Sequence, residues 1–179
     1  MKKVFIAGPR LINELDTKVT ERLENIRNKN FTVIVGDADG VDSSVQKYFY
    51  DKKYPQVYVF ASNGKARNNI GNWEIKNVAV ANNIKNFDFY SAKDLEMAKE
   101  ADYGFMIWNG ESKGTFNNIL NLLNFNKELV LYYTLSKSFH LIKSREDFDN
   151  FLKQGVKLNP NLLNLIAKKF GEDTQLSML

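Results

Sequence analysis

Residues 108–115, Trp-Asn-Gly-Glu-Ser-Lys-Gly-Thr, combine the residue types needed to hold an anion or a sugar. They follow the apolar run 103–107 and precede the apolar-periodic stretch 119–125, so a buried strand, a glycine-bearing turn and a helix start follow one another closely. Gly110 and Gly114 let the backbone turn tightly and approach a ligand, while Ser112, Thr115 and the amides of the first helical turn supply hydrogen bonds and a positive dipole end. The chemistry suited to this place involves a phosphate, a carboxylate or a sugar. Two further turns have the same character. Gly8-Pro9-Arg10 follows an apolar run at residues 4–7, and Arg10 carries a guanidinium fork that fits phosphate or carboxylate. Gly36-Asp37-Ala38-Asp39-Gly40-Val41-Asp42 follows a second run at 31–35. The expected ligand-binding set is Gly8, Pro9, Arg10, Gly36, Asp37, Gly40, Asp42, Asn109, Gly110, Ser112, Gly114, Thr115 and Asn118.

The elements that must bring these turns together are legible in the apolar pattern. Runs at 4–7, 31–35, 57–61, 103–108 and 129–133 suit parallel strands covered on both faces. Leu15, Val19, Leu23 and Ile26 give one apolar helix stripe, Val45, Tyr48 and Phe49 a second, and Leu95, Met97, Ala98 and Ala101 a third. Strands alternating with helices predict an α/β fold with a doubly wound, mainly parallel sheet of five or more strands and a small C-terminal helical extension. In such sheets ligands sit beyond the carboxyl ends of the strands, where the strand order reverses. The Asn-rich stretch 62–92 is expected to be a capping loop with a helical piece around 73–81. Past residue 135, residues 140–142 suit an edge strand, Ser144 a cap for a helix over 145–153, and Pro160 the first turn of a helix reaching 170, with the last eight residues loose. Residues 1–134 form the binding domain and 135–179 an extension packed on it; Leu162, Leu163, Leu165, Ile166 and Phe170 serve its core or a homo-oligomer interface.

Composition narrows the classes. The 179 residues hold no Cys and one His, which removes disulfides, thiol chemistry and multi-histidine metal sites. The net charge of +4 comes from Lys and Arg interspersed with acids and gathered only into doublets such as Lys52-Lys53, which argues against nucleic acid as a partner. No run reaches membrane-spanning length, so a soluble cytoplasmic protein is expected. No metal site is expected: Asp37, Asp39 and Asp42 lack the spacing of a calcium loop, and no cofactor is required beyond a Mg²⁺ accompanying a phosphorylated ligand.

Ala7-Gly8-Pro9-Arg10, the G-x-A-x-G-x-D pattern over 36–42, Lys93-Asp94-x-x-Met97 and Ser112-x-Gly114-Thr115-x-Asn117 together resemble the YpsA-related branch of the SLOG superfamily. That superfamily joins proteins similar to the LOG phosphoribohydrolases and to the DNA-processing protein of natural transformation. The resemblance spans residues 1–134 and implies a Rossmann-like fold with a pocket for a nucleotide or nucleotide-derived small molecule. Where the LOG enzymes carry a glutamate, this chain has Asn118, which forms hydrogen bonds but supplies no carboxylate base.

Three other readings compete. The Ala7-Gly8-Pro9 start and the Ser-x-Gly-Thr turn also resemble nucleoside deoxyribosyltransferases, which implies an N-glycosidase or transferase; the carboxylate that such chemistry needs at the anomeric carbon would come from Glu111, Asp42 or Asp102. Gly110-x-Ser112-x-Gly114 satisfies the nucleophile-elbow pattern of a serine hydrolase, for which Glu128 and His140 are the only acid and base in the required order. Similarity of 36–42 to the DNA-processing protein brings in single-stranded DNA, against which the acids of that motif weigh.

Overall fold

The computed structural model describes residues 1–162 and residue 164. Strands and helices follow one another as β1 (Lys3–Ala7), α1 (Thr17–Asn28), β2 (Thr32–Gly36), α2 (Val41–Asp51), β3 (Val57–Ser62), β4 (Glu74–Val78), α3 (Asn86–Glu100), β5 (Tyr103–Trp108), α4 (Lys113–Asn124), β6 (Leu129–Tyr133), β7 (Ser138–Ile142) and α5 (Arg145–Leu152). They build one sheet in the order β4-β3-β2-β1-β5-β6-β7, parallel except for the antiparallel edge strand β7. The architecture is a Rossmann-like, doubly wound α/β fold.

Period-two alternation sorts each buried strand onto both faces. Val4, Ile6, Val33, Val35, Val57, Val59, Phe105 and Ile107 pack with Val19, Leu23 and Ile26 of α1 and Val41, Val45 and Phe49 of α2. Phe5, Ala7, Ile34, Phe60, Met106, Trp108, Leu129 and Leu131 pack on the other face with α3, α4 and α5. Burial on both sides explains why these strands read as continuous apolar runs.

The stretch 73–81 corrects the expectation of a helical piece there: it holds β4, paired parallel to β3 from Tyr58↔Glu74 to Ser62↔Val78. As a largely exposed edge strand it mixes Glu74, Lys76 and Asn77 with Ile75 and Val78, so it has no apolar run to betray it. Trp73 anchors its start by donating its indole N–H to the Tyr54 carbonyl at 3.0 Å. Beyond 135, β7 extends the sheet, and α5 begins with a reciprocal Ser144–Asp147 capping box. Phe148, Phe151 and Leu162 are buried in the α3/α4 face of the core. The expected helix beyond 164 and the loose last eight residues lie outside the described residues.

Register places the chemistry. Ala7 of β1 pairs with Met106 of β5, so the turns after both strands leave the same sheet edge side by side.

Candidate functional site

Between β1 and β5 the strand order reverses, and at their carboxyl ends opens a cleft of about 640 Å³, a size usual for small-ligand sites. Gly8, Pro9 and Arg10 line one side; Asn109, Glu111, Ser112, Gly114, Thr115 and Asn118 line the other; Asp42 also contributes. Ten of the residues singled out in the sequence therefore meet in one place.

The turn after β5 is built by its own side chains. Asn109 Oδ1 accepts from the backbone N–H groups of Glu111 (3.0 Å) and Ser112 (2.9 Å), and Trp108 Nε1 donates to the Ser112 carbonyl at 3.1 Å. Ser112 caps α4, its Oγ accepting from the Thr115 amide (3.3 Å) and the Thr115 hydroxyl (3.0 Å). A Cβ on Gly114 would meet nothing within 4 Å, so the backbone at Gly114 is open, while Ser112, Lys113 and Thr115 line the cleft beside it. One turn further in, Asn118 is 5% exposed, and its Oδ1 has no hydrogen-bond partner among the described residues. A buried acceptor without a donor is costly, and a hydroxyl or amine supplied from the cleft would satisfy it.

The start of α2 differs. The Val41 amide donates to the Pro9 carbonyl (3.1 Å) and the Ala38 amide to Asp42 Oδ2 (3.3 Å), so that helix end is already occupied by the protein. Asp42 is buried below it beside Lys93, a residue that sequence spacing did not select as a site residue although it also lines the cleft. Burial pushes the Asp42 carboxyl up to about 7 against the opposing pull of Lys93. The Lys93 ammonium lies 3.0 Å from Asp94 and 3.7 Å from Asp37, and the surrounding carboxylates hold its pKa above the ordinary value despite desolvation. Lys93 was hard to find because it comes from α3, remote in sequence from both turns. Its sequence signal was the Lys93-Asp94-x-x-Met97 segment of the resemblance, which marked the residue without giving it a place in the site.

Four expected ligand contacts do not line the cleft. Gly36 is bare because a Cβ there would collide with the Asp42 carboxylate. Gly40 takes φ +79° beneath the Arg10 backbone, and Gly110 takes φ +78° against the Lys157 carbonyl. Asp37 is consumed by Arg67, which donates through its backbone N–H (3.0 Å), Nε (3.2 Å) and a terminal nitrogen (2.8 Å). Desolvation raises Asp37, but these bonds and Lys93 outweigh it and hold the carboxyl below its usual range. Gly8 lines the cleft, yet its lack of a side chain is explained by packing, since a Cβ would lie 2.7 Å from Val41 Cγ2.

The serine-hydrolase constellation is not assembled. His140 shares a 2.9 Å hydrogen bond with Ser138 and packs on Phe151 with ring centroids 4.6 Å apart, while Ser112 Oγ accepts from the Thr115 amide and hydroxyl. Glu128 lies with Tyr103 at the opposite end of the sheet. No helix among the described residues is long and apolar enough to cross a membrane, and no group of three or more His, Asp or Glu among them is arranged to hold a metal.

The chain shares the fold of DNA processing protein A. The structure of that protein from Helicobacter pylori, described for its single-stranded DNA binding mode, matches with a TM-score of 0.58 at 14% identity, covering 93% of this chain and 79% of that one. No family model and no curated protein sequence matches the chain. The likeness overturns the expectation against nucleic acid, because a protein of this same fold binds single-stranded DNA. Of the acids in the 36–42 motif, Asp39 is exposed, whereas Asp37, counted with it as repelling an anion, is buried and paired with Arg67, and Asp42 is buried beside Lys93.

Proposed function

We propose that the cleft binds a nucleotide-derived small molecule, with its phosphate at the first turn of α4 and its sugar toward Asn118. The observation that carries this reading is the serine-capped start of α4 at the cleft, bare of a side chain at Gly114, with Asn118 Oδ1, unpartnered among the described residues, one turn beyond it. Helix amides and the dipole favour an anion there, Ser112 and Thr115 add hydroxyls, and Arg10 stands across the opening. Asn118 asks for a donor, which a ribose hydroxyl provides and inorganic phosphate at the helix start does not. The YpsA-related placement belongs to this proposal and rests on the motifs at 7–10, 36–42, 93–97 and 112–117. No metal is needed for it, since Mg²⁺ would arrive only with the ligand.

A second reading is a single strand of DNA whose backbone phosphate occupies the same place, favoured by the fold shared with DNA processing protein A. Thermal shift and calorimetry with AMP, ADP-ribose and NAD, beside fluorescence anisotropy of labelled oligodeoxythymidylate at several salt concentrations, separate the two. The first reading expects a nucleotide to raise the melting temperature with saturation, and Ser112→Ala to weaken it about tenfold, the loss of one anion-stabilising contact. Tight, salt-dependent retention of the strand with no response to nucleotides would replace it by the second. Asp42 and Glu111 both line the cleft, so free adenine is assayed in the same samples. Release abolished by Glu111→Gln would turn the binding site into that of a glycosidase.

A further inference from the structure

Tyr90, on α3, is met by two arginines at once. The guanidinium carbon of Arg10 lies 4.8 Å from the ring centroid and that of Arg67 4.7 Å. The two arginines are held very differently. Arg67 is fixed by its hydrogen bonds to the buried Asp37 and does not line the cleft. Arg10 is exposed, lines the cleft with Tyr90, and has no hydrogen bond or ion pair among the described residues; the ring is its one partner. A cation on an aromatic face is a weak bond when solvated, and a phosphate oxygen is a stronger partner for a guanidinium.

We infer that Tyr90 is the stacking platform for the ligand's base and that Arg10 is its placeholder, leaving the ring for the phosphate when a nucleotide enters. Arg67, anchored through Asp37, holds the ring from outside the cleft so that the platform persists after Arg10 departs. The inference rests on the nucleotide reading of the cleft and sharpens it. A planar base joined to a phosphate is recognised over a bare sugar phosphate, whether the base is carried by a free nucleotide or by a single strand.

The test compares AMP, ribose 5-phosphate and a short oligodeoxyadenylate by calorimetry on the full chain. Tyr90→Leu is expected to weaken the adenine-bearing ligand that wild type binds by about tenfold, the order of one lost base stack, and to leave ribose 5-phosphate unchanged. Tyr90→Phe retains the affinity. Tyr90→Trp gives a fluorescence signal that AMP quenches and ribose 5-phosphate does not. Equal weakening of AMP and ribose 5-phosphate would show that the ring merely supports Arg10 and would overturn the stacking role. Undiminished AMP binding by Tyr90→Leu would overturn it as well, while leaving the nucleotide site standing. Failure of wild type to bind any of the three ligands would remove the site and the inference together.

Discussion

The residues at the cleft divide into those that face the opening and those that hold its floor. Asp42 has the most unusual environment, since it is a buried carboxyl beside a buried ammonium. An unfolded chain titrates this group near 3.8, whereas burial moves it to about 7 in the folded protein. Between those values the folded state keeps a proton that the unfolded state has lost. The stability linked to Asp42 is therefore complete below the lower value and disappears as pH rises through the upper one. Asp42→Asn should remove that dependence, so its melting temperature should gain on wild type as pH is raised from about 5 to about 8. A gap constant across that range would show that Asp42 titrates as an ordinary aspartate. Neither Lys93 nor this shift was legible from composition, because sequence spacing does not report which charges will be shut away from water together.

Among the elements, α4 and α5 both start on a serine whose hydroxyl accepts from an N3 amide, at 3.3 Å for Ser112 and 3.1 Å for Ser144. Replacing either by alanine should cost about 1 kcal/mol in chemical denaturation. Only Ser112→Ala should also reduce nucleotide affinity, because α5 is capped away from the cleft. Equal affinities for the two variants would mean that the α4 start does not contact the ligand. The Ser144 cap was readable, since a serine directly before a helical pattern has a local meaning, whereas Ser112 was read for the ligand and its capping bond came from the structure. Strand β4 was not. Edge strands bury too little surface to select an apolar alternation, and the pairing of Ile75 with Val59 is a property of the sheet.

For the whole molecule, the segment after α5 returns to the glycine turn. The Asn159 amide donates to the Gly110 carbonyl at 3.3 Å, the Lys157 carbonyl abuts Gly110, and Asn159 joins the cleft lining. Leu162 is fully buried beyond it. Gly110→Ala places a Cβ against a backbone carbonyl at a positive φ, so it should destabilise the fold by about 1–3 kcal/mol. It should also expose residues 153–162 to limited proteolysis before the sheet is cut. Cleavage unchanged from wild type would show that this contact does not hold the segment down.

By itself, the sequence determined the alternation of buried strands and amphipathic helices and the three turns that end at one sheet edge. Apolar periodicity and turn chemistry are local, and they act through the few residues that carry them. Tertiary structure alone decided that Asp37 would be spent on Arg67, that Lys93 would stand under the turns, that Tyr90 would receive Arg10, and that residues 157–159 would close on Gly110. Each of these depends on groups far apart in the chain meeting out of water, where charge pairs and close packing become strong enough to choose one partner over the rest.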